Sequence, residues 1–129
     1  MAIPFVKMIV DKGLDNIDVS MLDGDYKNNL FDELGDLFMK QQRFEESAKS
    51  YFLSGRKDKI EEAIKYYLKL NNIRVAGIYG YYIDEEKSMK QLGELCLREG
   101  YFKTAKKIFE KLKDKEMLEF IKENLGKSF

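Results

Sequence analysis

A chain of 129 residues, 44% apolar and 36% charged, is long enough to hold one buried core of its own. Its 23 basic residues balance 23 acidic ones, so no bulk field recruits a polyanion, and nucleic acid is not an expected partner. The absence of histidine excludes histidine-based triads and the common zinc ligand sets, and a single cysteine, Cys96, excludes an internal disulfide.

The opening MAIPFVKMIV holds a short apolar run interrupted by Lys7, which reads neither as a secretory signal nor as a membrane span. A cytoplasmic protein with no membrane partner is the expectation. Phe5, Val6, Met8 and Ile9 fit a first helix with Pro4 in its first turn and Gly13 closing it, and Asp23-Gly24 reads as a turn. Residues 1 to 36 carry eight acids against three lysines, while the remainder carries twenty bases against fifteen acids. Such opposite ends suit a solvated surface, a head-to-tail homo-oligomer or an oppositely charged partner.

From about residue 27 helical periodicity takes over. Leu30, Phe31, Leu34, Leu37 and Phe38 predict a helix over 27–41, and Phe44, Ser47, Ala48, Tyr51 and Phe52 a second one closed by Ser54-Gly55. Asp58-x-x-Glu61 resembles a capping box ahead of a third, carrying Ile60, Ala63, Ile64, Tyr67 and Leu68. A short fourth helix runs from Ile73 to Tyr82, and acids at 84 to 86 open the fifth, with Met89, Leu92, Gly93, Cys96 and Leu97 on its apolar face. Phe102, Ala105, Ile108, Phe109 and Leu112 form the sixth stripe, and Met117, Leu118, Ile121 and Leu125 the seventh. Helices this short are marginal alone, so an all-α fold of about seven helices packed as antiparallel hairpins is expected.

Two segments are near copies. An offset of 58 aligns Leu34-Gly35-Asp36-Leu37 with Leu92-Gly93-Glu94-Leu95, Phe44 with Phe102, Ser47 with Ala105 and Tyr51 with Phe109. A mid-helix glycine costs about 1 kcal/mol relative to alanine, so its recurrence predicts a neighbouring helix passing too close for a side chain. Ser47 and Ala105 are the expected reciprocal contacts, with Phe44 and Phe102 at the turn and Tyr51 and Phe109 at the far end of the crossing.

Leu34-Gly35-x-x-Phe38, then Phe44, Ser47 and Tyr51, resembles the tetratricopeptide repeat, as does Leu92-Gly93-x-x-Cys96 with Gly100-Tyr101, Ala105 and Phe109. The resemblance covers roughly 28–125. It implies a single domain over 1–129 forming a short right-handed α-α superhelix: an extension (1–26), a first repeat (27–56), a degenerate middle hairpin (57–83), and a second repeat with a C-terminal helix (84–125). It also implies a concave face, lined by Asn29, Asp32, Asp36 and Lys40 and by Lys90, Glu94 and Arg98, that binds a peptide or partner subunit. Chaperone-binding members use a lysine and asparagine clamp for a C-terminal carboxylate; Asp32 and Asp36 stand where that clamp would begin, and an acidic pair repels a carboxylate. A structural subunit of a larger assembly is the alternative.

In GIYGYYIDEE, residues 77 to 86, Tyr79 and Tyr82 are candidate contacts, since tyrosine joins a large surface to a hydroxyl; core filling is the competing reading. Gly77-x-x-Gly80 lacks the flanking bases of a nucleic-acid loop. Carboxylate pairs such as Asp32/Asp36 and Glu61/Glu62 come with no phosphate or dinucleotide motif, and Cys96 lies on an apolar stripe. No enzyme, cofactor or metal site is expected.

Overall fold

The structure, a computed structural model, describes residues 6–16, 18 and 22–124, and Pro4, Phe5 and Leu125 lie outside them. Among the described residues the fold is all-α, with no strand. Eight α-helices follow one another: α1 (Val6–Lys12), α2 (Gly24–Lys40), α3 (Phe44–Leu53), α4 (Lys57–Lys69), α5 (Ile73–Gly80), α6 (Glu86–Arg98), α7 (Phe102–Leu112) and α8 (Lys115–Asn124), with a 3-10 turn at Leu14–Asn16. None of the helices is long and apolar enough to cross a membrane, among the described residues.

Two starts differ from expectation. Asp23-Gly24 is no turn: Asp23 is the N-cap of α2, its carboxylate accepting from the Tyr26 amide at 3.1 Å, so the helix begins three residues earlier than the expected 27. Asp58 is no cap either. It lies inside α4, and its carboxylate accepts from the Arg56 guanidinium at 3.0 and 2.8 Å.

The chain divides into two compact units, Met1–Ile60 and Glu61–Phe129, with the boundary inside α4. In the first, Val6, Ile9 and Leu14 are buried together with Leu30, Phe31, Leu34 and Phe38 of α2, which also packs along α3. Arg43 ties α1 down: its guanidinium donates to the Val10 carbonyl at 2.7 Å, pairs with Glu46 and lies 4.5 Å over the Phe38 ring. Glu46 in turn accepts from the Leu14 amide at 3.0 Å, so the first turn of α3 satisfies a donor at the start of the 3-10 turn.

In the second unit α6 packs along α7, α5 against both, and α8 against α7. Cys96, Ala105, Phe109, Ile73 and Ile121 are buried as one cluster, and Tyr67 stacks on Tyr79 at 6.0 Å. A methyl added at Gly77 would lie 2.4 Å from the Cys96 sulfur, and one at Gly80 2.5 Å from Leu92, which is how α5 lies so close to α6.

The repeat is written into the backbone as well. α2 and α6 end at 40 and 98, α3 and α7 begin at 44 and 102, and α4 and α8 begin at 57 and 115, always 58 apart. The positive-φ residues obey the same spacing: Gly13 and Asn71, Gln42 and Gly100, Gly55 and Lys113. Gln42, which stands where the resembled motif has glycine, adopts the left-handed turn anyway (φ 60°).

Both repeated glycines sit at close crossings. A methyl at Gly35 would lie 2.4 Å from the Tyr51 ring, and one at Gly93 2.9 Å from Ile108 and 3.0 Å from the Phe109 ring. Ser47 makes its reciprocal contact as a hydrogen bond, its hydroxyl donating to the Gly35 carbonyl at 2.8 Å. Tyr51 and Phe109 are not at the far end of the crossing: each ring covers the glycine itself.

Candidate functional site

On α2 the sequence-derived contacts are partly spent. Asn29 and Lys40 are exposed, but Asp32 accepts from Arg56 at 2.8 Å and Lys59 at 2.6 Å. Asp36 accepts from Lys59 at 3.0 Å and from the Tyr51 hydroxyl. Lys59, whose ammonium also lies 5.4 Å from the Tyr51 ring, keeps a raised pKa: burial alone would lower it, but the hydrogen bonds that it donates to Asp32 and Asp36 outweigh that. The Arg56 hydrogen bond holds the exposed Asp58 down to about 2, below its ordinary 3.8; what this pair adds is present above that value and lost as pH falls toward 2. The acidic pair is therefore neutralised by Arg56, just ahead of α4, and by Lys59 of α4.

On α6 the outcome is the reverse. Lys90, Glu94 and Arg98 follow one another at single-turn spacing, about 6 Å apart along the axis, and all three line one groove of about 820 Å³ between α6 and α8. Leu97 joins them from α6, and Asp114, Glu116, Met117 and Phe120 form the facing wall. Among the described residues Lys90, Glu94, Arg98 and Glu116 make no salt bridge. Asp114 caps α8, accepting from the Met117 amide at 3.1 Å. Phe120 is 48% exposed. It stands off the Met117, Leu118, Ile121 stripe, and an aromatic residue on the polar face of that stripe was the signal for this wall. A second groove of about 480 Å³ flanks α6 on the α4 side, floored by Ile64, Leu68, Leu92 and Leu95.

Tyr79 is a correction. Its relative exposure is 0%, so it fills the interior rather than a binding surface. Tyr82 is half-buried, edge-on to Tyr81, with the Lys111 ammonium 4.3 and 5.1 Å from the two rings; Lys111 also donates to the Tyr81 carbonyl. Burial lowers the Lys111 pKa, with Asp84 opposing it. Neither tyrosine lines the α6–α8 groove.

Cys96 is fully buried, its thiol facing the Ile73 carbonyl at 3.7 Å, and burial pushes it up to about 11. The folded chain should accordingly resist iodoacetamide at pH 8 for as long as it stays folded, with modification following denaturant, as read by intact mass.

No protein-family model, curated protein or solved structure matches this chain.

Proposed function

We propose that the chain is a non-enzymatic interaction module of the tetratricopeptide-like class, its helices paired as antiparallel hairpins in a short right-handed superhelix. Its ligand is a peptide segment of a partner protein, held in the groove between α6 and α8. One observation carries the reading: Lys90, Glu94 and Arg98, the residues that the resemblance assigns to a ligand-facing helix, line a groove with an exposed aromatic residue and, among the described residues, make no ion pair. A centrally placed aromatic side chain ringed by polar groups is the usual anatomy of an energetic hot spot.

The test is calorimetry with a peptide selected on the wild-type chain from a random library. Phe120→Ala should weaken binding by about tenfold or more. Undiminished binding by Phe120→Ala would contradict the proposal.

A further inference from the structure

The two copies, 58 residues apart, differ in charge where the second one lines the α6–α8 groove. In the first copy a closed network joins the second half of α2 to the start of α4: Arg56 to Asp32, and Lys59 to both Asp32 and Asp36, with the Tyr51 hydroxyl on Asp36 as well. Moving 58 residues on replaces Asp32 by Lys90 and Arg56 by Asp114, a pair with its signs exchanged. It keeps an acid at Glu94, where Asp36 stood. Both of that acid's donors disappear, because Tyr51 becomes Phe109, which has no hydroxyl, and Lys59 becomes Met117, which has no charge.

The charge balance changes in step. Around the first network Lys40, Arg56 and Lys59 offset Asp32, Asp36 and Asp58, whereas in the groove Lys90 and Arg98 face Glu94, Asp114 and Glu116. Among the described residues that line it, the groove is one cation short. Next to the vacated position lie Met117, Leu97 and Phe120, an apolar track suited to the methylene stem of a long basic side chain.

We infer that the groove takes a peptide presenting one lysine or arginine side chain, whose cation meets Glu94 while its stem lies along Met117 and Phe120. The partner then supplies in trans the charge that Lys59 supplies from within the chain in the first copy. Lys90 and Arg98 do not remove the demand, since an i,i+4 pair on an exposed helix is worth only about 0.2–0.5 kcal/mol. They add selectivity instead: flanking Glu94 one turn to either side, they repel a second basic residue, so a single base between neutral or acidic neighbours is favoured over a polybasic run. This identification of the ligand rests on the groove being the binding site.

The probe is a phage-displayed library of random dodecapeptides selected on the whole chain, followed by anisotropy of a fluorescein-labelled selected peptide. Selected sequences should share Lys or Arg at one fixed position, and changing that residue to glutamine, or Glu94→Gln in the protein, should each weaken binding roughly three- to tenfold. Met117→Lys, which places a cation in the seat from within the chain, should abolish selection of basic peptides. Met117→Gln, of similar length but neutral, should retain it; because Met117 also packs against the Cys96 cluster, the two variants are compared with each other at a temperature where circular dichroism shows both folded. Peptides that bind in a Phe120-dependent manner with no basic preference, or that ignore Met117→Lys, overturn the cationic anchor and leave the groove reading standing. Failure of the library to yield any Phe120-dependent binder overturns both.

Discussion

Tyr51→Ala should cost about 3–5 kcal/mol of unfolding free energy, the range for truncating a large buried aromatic side chain. Tyr51 is 2% exposed, its ring rests on the bare Gly35 backbone, its hydroxyl reaches Asp36, and the Lys59 ammonium lies 5.4 Å from the ring. Truncation therefore empties the α2–α3 crossing and removes a donor from the Asp36 network together. Tyr51→Phe isolates the second loss and should cost about 1 kcal/mol, the net worth of one hydrogen bond; Phe109 at the equivalent place in the second copy already lacks that hydroxyl. Urea denaturation with an unchanged slope is the measurement. A loss under about 1 kcal/mol for Tyr51→Ala would mean that the crossing does not depend on this ring.

Gly35→Ala should cost about 2 kcal/mol, and the sign should reverse once Tyr51 is gone. Alanine gains about 1 kcal/mol of helix propensity over glycine, but the added methyl would meet the Tyr51 ring at 2.4 Å. That ring is buried and tethered to Asp36, so the overpacking cost falls at the upper end of the usual 1–3 kcal/mol. No atom besides those of Tyr51 is among the three nearest the added methyl, so in a Tyr51→Ala background Gly35→Ala should stabilise, by up to about 1 kcal/mol. Gly93→Ala should be milder, since its neighbours stand at 2.9 to 3.2 Å. Gly24→Ala, with nothing within 4 Å, is the control and should be neutral or slightly stabilising. A neutral Gly35→Ala in the wild-type background would remove the packing argument for the repeated glycine.

The helical scaffold was legible because its signals are local. Leu34-Gly35 and Leu92-Gly93 record the approach of the next helix in sequence, a contact set by nearest neighbours. What covers each glycine was misplaced by about one turn. Side chains on a helix lean toward its N-terminus, so Tyr51 lies over the turn that Ser47 begins, and both residues reach Gly35.

For Tyr79 the competing reading, core filling, is the one the fold bears out. All of α5 except Arg74 is buried, and a helix with almost no polar face belongs in an interior. The fate of Asp32 and Asp36 was not readable, because their partners arrive from more than twenty residues away, Arg56 from the α3–α4 turn and Lys59 from α4, and charge pairing at such separation leaves no local pattern. The other wall of the groove, Met117 and Phe120, comes from α8 for the same reason.

The most direct test is an amide NMR titration of the ¹⁵N-labelled chain with a peptide selected on it. The proposed account predicts shifts concentrated at residues 90–98 and 114–121, with the amides of 29–40 left in place because α2 has spent its carboxylates on Arg56 and Lys59. Shifts centred on 29–40, or on Tyr81 and Tyr82, with 90–98 and 114–121 unmoved, would contradict it.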